Sequence, residues 1–152
     1  MPLQFDQYAQ KGKAVVQELA DQLGIPDQTA TAGRLLRAVL HALRNRLSVD
    51  ENMQLLAQLP MALKGIYVDG WNIHKPYPRI KHVNEFISEV IHEDYPTGRH
   101  DITNSKDGEN AIRATFIVLE NHLSAGEVKA LIHVLPTELK HLWQGYHEQH
   151  MA

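Results

Sequence analysis

Residues 37–64, RAVLHALRNRLSVDENMQLLAQLPMALK, align without a gap on residues 113–140, RATFIVLENHLSAGEVKALIHVLPTELK, at a constant offset of 76. Twelve of the 28 aligned positions are identical: Arg37/Arg113, Ala38/Ala114, Leu43/Leu119, Asn45/Asn121, Leu47/Leu123, Ser48/Ser124, Glu51/Glu127, Leu55/Leu131, Leu59/Leu135, Pro60/Pro136, Leu63/Leu139 and Lys64/Lys140. Just beyond, Ile66/Leu142 and Tyr67/Trp143 are conservatively replaced. A repeated catalytic site would repeat His, Asp, Ser or Cys. What recurs here is leucine at helical spacing, a cap and a proline, the marks of a repeated scaffold.

Working outward, Ser48 is followed three positions later by Glu51, and Ser124 likewise by Glu127. Each pair predicts a capping box, in which serine and glutamate side chains satisfy otherwise unpaired amide donors at a helix start. Leu59-Pro60 and Leu135-Pro136 interrupt the helix that follows, because proline lacks an amide donor and suits the start of a new helix. Upstream, Leu35, Leu36, Val39, Leu40, Leu43 and Leu47 predict a central helix ending near residue 47, with Asp27 as its cap. Phe5, Tyr8, Val15, Val16, Leu19 and Leu23 lie on one stripe and predict a first helix over residues 3–23, closed by Gly24.

Val68–Arg79, VDGWNIHKPYPR, contains Gly70, Pro76 and Pro78 and reads as a linker. Helical spacing resumes at Ile80, Val83, Phe86, Ile87, Val90 and Ile91, the counterpart of the first helix at an offset slightly shorter than 76. The polar, turn-rich stretch YPTGRHDITNSKDG, residues 95–108, reads as an exposed loop, and a second central helix follows through Ile112, Phe116, Val118, Leu119 and Leu123. No period-two strand pattern occurs. The expected fold is all-α: one domain over residues 1–152, with a first helical repeat at 3–67, the linker at 68–79 and a second repeat at 80–147, each unit holding about four helical segments around a shared core.

At 152 residues the chain can bury a substantial core without disulfides or a structural metal. It has no cysteine, which excludes disulfides, thiolate metal sites and a cysteine nucleophile. The first residues, MPLQFDQYAQKGK, lack a signal-peptide core, and no apolar run is long enough to span a membrane, so a soluble cytoplasmic protein is expected. With 15 basic and 18 acidic residues interspersed, the net charge of −3 gives no broad field for gathering nucleic-acid phosphates.

The segments RLLRAVLHALRNRLSVDENMQLLAQLPMALKGIYVDGW, EFISEVIHEDY and AIRATFIVLENHLSAGEVKALIHVLPTELKHLW together resemble the bacterial family known as domain of unknown function 2267. The most specific elements are the run Arg37–Leu47, the two Leu-Pro signatures and GIYVDGW at Gly65–Trp71. The resemblance covers nearly the whole chain. It implies a small, helical, internally duplicated cytoplasmic protein, and it brings no activity, cofactor or catalytic residue with it.

Candidate chemistry is sparse. His141, His147 and His150 lie near the C-terminus, but HEQH lacks the four-residue histidine spacing of the zinc-protease motif, and no third ligand is fixed by spacing. His92, Glu93, Asp94, His100 and Asp101 form a polar cluster that an acid–base site could use if the fold gathered them; otherwise they are a solvated helix end. Asp101, Thr103, Ser105 and Asp107 alternate as in a calcium loop, but Lys106 stands where glycine is needed and the distal glutamate is missing, which excludes that motif. Tyr67, Trp71, His74, Tyr77 and Arg79 combine aromatic and basic groups that could anchor a partner, or else Tyr67 and Trp71 fold back onto the core. Arg34, Arg37, His41, Arg44 and Arg46 give the first central helix a basic side, which the second copy loses in Asn110, Arg113, Glu120 and His122; a solvated face explains these charges without a nucleic acid.

The expectation is a non-enzymatic helical binding or adaptor protein with no cofactor and no metal, engaging a protein partner or a second copy of itself. A ligand-binding protein or enzyme with a pocket between the repeats is the alternative, and a nucleic-acid-binding regulator a weaker one.

Overall fold

The computed structural model describes residues 2–74 and 80–143. Its helices are α1 (Phe5–Gln22), α2 (Thr29–Arg44), α3 (Val49–Gln58), α4 (Met61–Val68), α5 (Val83–Glu93), α6 (Gly98–Asp101), α7 (Ser105–Glu120) and α8 (Ala125–Val134). Residues 137–143 are helical as well, and we label them α9. Among the described residues there is no strand, so the expected all-α class holds.

α2 is the axis of the molecule. From Leu35 to Asn45 only Arg37 is exposed, because α1, α4, α5 and α7 all pack against this one helix. Such all-round burial is what a helix rich in Leu, Val and Ala permits. Alanines 32, 38 and 42 let neighbouring helices approach, while Leu36, Leu40 and Leu43 fill the spaces between them. α7 has the same character through Ile112, Phe116, Val118 and Leu119. α1 touches both α2 and α7, and so does α5. The buried side chains consequently form one cluster running from Val15 to Trp143.

The Leu-Pro signatures act alike in the two halves. Leu59 and Leu135 are extended and buried, and the carbonyls of Pro60 and Pro136 accept the amides of Lys64 and Lys140 at 3.0 and 2.9 Å. Leu47 and Leu123 are half-buried at the ends of the central helices. The caps are less alike. Ser48 and Glu51 form the expected reciprocal box, with Glu51 N donating to Ser48 Oγ at 3.1 Å and Ser48 N to Glu51 Oε1 at 2.8 Å. At the second site Ser124 Oγ accepts from Glu127 N at 3.1 Å, but Ser124 N donates instead to Gln58 Oε1, also at 3.1 Å. Gln58 Nε2 holds Glu127 Oε2, so a residue of α3 completes the cap of α8 and ties the two helices together.

Several expectations need correction. Phe5 is 69% exposed, because α1 projects past its neighbours before its buried stripe begins at Gly12 and Val15. Asp27 does not cap α2: a turn from Gln28 N to Ile25 O carries the chain one residue further, and Gln28 takes the cap position. Ile80 precedes α5 rather than opening it. Residues 95–108 are exposed in large part and α7 starts near their end, as expected, but the stretch is not all loop. They contain α6 and the first turn of α7, and they bury Gly98, Ile102 and Gly108. A Cβ on Gly98 would run into the carbonyl of Ile91, so this turn folds tightly under α5.

Because Leu43 and Leu119 are fully buried in the two central helices, Leu43→Ala and Leu119→Ala should each destabilise the protein by about 2–5 kcal/mol. Urea unfolding of the two variants checks this, with Met53→Ala on the exposed side of α3 as a control expected to change stability by less than about 0.5 kcal/mol.

Candidate functional site

Polar residues of α2 that sequence reading assigns to a solvated face are buried instead. His41 and Arg44 are 3% and 4% exposed. His41 Nε2 donates to the Ile66 carbonyl at 2.7 Å, and burial lowers its pKa, so the ring is held as the neutral Nε2–H form. Arg44 Nη1 donates to the carbonyls of Tyr67 and Asp69 at 2.7 and 3.0 Å, capping the end of α4. Arg37 pairs with Asp69 at the surface, and Arg46 pairs with Glu89 at 3.2 Å. The basic side is thus spent on internal partners.

Each central helix ends on a carboxylate delivered by the opposite half. Glu89 of α5 accepts from Asn45 at 2.8 Å and from Arg46 at 3.2 Å. Glu18 of α1 accepts from Asn121, and lies 3.0 Å from His122 Nε2. Asn121 and His122 stand 76 residues after Asn45 and Arg46, and Glu89 stands 71 after Glu18. The two sites differ in environment: burial raises the pKa of Glu89, whose side chain is 14% exposed, against 34% for Glu18.

The cluster around the long loop is partly assembled. Asp94 ends α5 and Asp101 ends α6, and their carboxyl groups lie within hydrogen-bonding reach of each other. Arg34 of α2 grips Asp101 with two bonds of 3.0 Å, Nε to Oδ2 and Nη2 to Oδ1. That grip holds the Asp101 pKa below its ordinary value, whereas burial, and then Asp101 itself, pushes Asp94 up to about 7. His92 and His100 stay exposed, and Glu93 turns toward His41. Among the described residues no group of three or more His, Asp or Glu side chains could hold a metal ion. His147 and His150 lie outside the described residues.

The linker residues separate. Tyr67 is fully buried; its hydroxyl donates to Asn52 Oδ1, and burial raises its pKa. Trp71 is half-buried and His74 exposed, while Tyr77 and Arg79 lie outside the described residues. At the position matching Tyr67, Trp143 stacks on Phe116 with ring centroids 4.3 Å apart and donates to Glu120 at 2.6 Å. Asn52 has Val128 as its counterpart, so the ring and its polar partner change together.

A surface cavity of about 690 Å³ forms a groove between the end of α7, α8 and α9. Leu123, Val128 and Ile132 line it with Lys129, His133 and Lys140, and one acid, Glu120, stands at its edge beside Asn121. Sequence reading missed it. Lys129 and His133, four apart on α8, carry no local signal, since they have the spacing of any solvated helix face.

Residues 12–142 match the sequence profile of the family described as "Uncharacterized conserved protein (DUF2267)". The chain belongs to the DUF2267 family. No curated protein matches it. In this DUF2267 chain the matched residues run from Gly12, where α1 begins to bury, to Leu142 beside Trp143, and so include both central helices. Among the described residues no helix is long and apolar enough to cross a membrane.

Glu89→Ala removes the carboxylate that pairs with the buried Arg46 side chain and should cost roughly 3 kcal/mol, even though Asn45 keeps its bond to Glu93, whereas Glu18→Ala at the more open site should cost less than about 1 kcal/mol. Chemical denaturation of the two variants measures that difference.

Proposed function

We propose that this DUF2267 protein is a non-enzymatic cytoplasmic binding module, built by internal duplication, that holds an acidic amphipathic helix of a protein partner in the groove of α7, α8 and α9. One observation carries the reading: an apolar floor of Leu123, Val128 and Ile132 lies beside Lys129 and Lys140, which form no ion pair among the described residues. A helix with apolar side chains at three- and four-residue spacing and flanking carboxylates complements that surface in shape and charge.

Three groups suited to acid–base chemistry support the same reading by being otherwise engaged. Asp101 is gripped by Arg34, Glu89 by Arg46 and Asn45, and His41 by a backbone carbonyl. A small-ligand pocket between the halves is the second reading. It has a cleft of about 290 Å³ lined by Leu23, Ile25, Thr31, Leu35 and Asn110, much smaller than the groove. The nucleic-acid reading is least supported, since Arg34, Arg37 and Arg46 neutralise carboxylates of this chain. Duplication is supported by the matching Leu-Pro junctions and by the two carboxylates, Glu18 and Glu89, that close the central helices.

A photo-crosslinking residue at position 129, incorporated in cells, tests the proposal. The expected product joins α8 to an acidic helical segment of another protein, and the double charge reversal Lys129→Glu with Lys140→Glu should weaken that complex by about tenfold or more, equivalent to roughly 1.4 kcal/mol. Crosslinks to a second copy of the chain would make the groove a dimer interface. Crosslinks only from a probe at Trp71, or a retained small molecule with no protein partner, would overturn the reading.

A further inference from the structure

After α5 the chain turns under itself and returns the Asp101 carboxyl to the side of Asp94, seven residues after leaving it. Asp94 is 5% exposed as a residue, and the side chain of Asp101 is 2% exposed. Arg34 uses two donors on Asp101 and occupies both of its oxygens. Asp94 Oδ1 meets only the Thr97 hydroxyl, at 3.4 Å, and Asp94 Oδ2 is buried with no donor among the described residues.

One guanidinium can balance one carboxylate. Two buried carboxylates in hydrogen-bonding reach repel each other strongly, and a single proton placed between them turns the repulsion into an O–H···O⁻ bond. That proton also supplies the donor that Asp94 Oδ2 otherwise lacks.

We propose that Asp94 and Asp101 share one proton, and that this proton latches a clasp holding α6 to α2, tight in mild acid and loosened as the pH rises to neutrality. The clasp joins three elements: Asp94 at the end of α5, Asp101 on α6 and Arg34 on α2. The charged groups facing it are few. From α2 there is Arg34, and from α6 there is His100, exposed, with Nδ1 3.8 Å from Asp101 Oδ1. At the start of α7, Asp107 lines the same cleft, but its carboxylate is held by the Thr103 amide and hydroxyl.

The direction of the effect follows from linkage. Asp94 binds its proton more tightly folded, with a pKa of about 7, than unfolded near 3.8, so the stabilisation is complete below the lower value and is lost as pH climbs through the higher one. The lowered pKa of Asp101 acts oppositely, weakening the Arg34 grip only when the pH falls below the ordinary carboxylate range. Between these limits the latch weakens steadily with rising pH. Asp101 and His100 form part of the wall of the cleft between the halves, beside Thr31 and Leu35.

Amide hydrogen exchange at His100, Asp101 and Ile102, whose N–H groups bond to Thr97 and Gly98 carbonyls, reads the opening directly. After correction for intrinsic rates, opening should rise by roughly tenfold per pH unit between about pH 5 and about pH 6.5 and level off above about pH 7. Asp94→Asn keeps a donor for Asp101 but cannot titrate, so its opening should be independent of pH across that range. An equal pH slope in Asp94→Asn and in the unaltered protein would overturn the proposal. The carboxyl carbon resonance of Asp94 in the unaltered protein gives a second test that needs no variant: a midpoint near 7 is expected, and a midpoint near that of an ordinary aspartate contradicts a shared proton.

Discussion

A helix buried on every side must satisfy its own polar side chains inside the protein, and α2 imposes that condition on the whole structure. Four helices pack around it, and it buries His41 and Arg44, with Asn45 at its end and the half-exposed Arg34 at its side. An uncompensated charge or amide there would cost several kcal/mol, so each requires a partner brought in from elsewhere in the chain. The partners are Asp101 from α6, the carbonyls at the end of α4 and Glu89 from α5. Apolar burial makes the fold compact, and these bonds fix which helix lies against which face. The short connections follow from them: α4 must end where Arg44 can reach its carbonyls, and α6 must turn back far enough to present Asp101 to Arg34.

The same condition explains how the two halves share one core. α5 carries Glu89 to the end of α2, and α1 carries Glu18 to the end of α7, so the first helix of each half closes the central helix of the other. Neither half presents a finished surface alone. The groove of α7, α8 and α9 keeps Asn121, Leu123 and Lys140 in common with Asn45, Leu47 and Lys64 and differs at other positions. Val128 replaces Asn52, Lys129 replaces Met53, and Glu120 replaces the arginine that binds the end of α4.

The helices, the Leu-Pro junctions and most of the core were legible in the sequence because leucine at helical spacing, serine caps and proline act over a few residues. Residues 95–108 were misread in part, for an equally physical reason. Asp, Arg, His, Gly and Thr in succession carry the composition of a surface loop, and only the distant Arg34 makes it favourable to bury Asp94 and Asp101. The basic side of α2 was misread likewise, since partners 23 and 43 residues away leave no local periodicity. Asp94 and Asp101 were recognised as a cluster, but not that their carboxyl groups meet. The groove was missed because it is a shape made by three helices, and its lysines look in the sequence like any solvated face.

Halves that close each other's central helices should fold and unfold as one unit. Native-state hydrogen exchange in increasing urea measures this residue by residue. Buried amides of α2, such as that of Leu40, and of α7, such as that of Phe116, should open with the same free energy and the same urea dependence. If α7, α8 and α9 instead unfold in a separate, lower-energy step while α1 to α4 remain protected, the halves are independent and their interleaving does not hold the fold together.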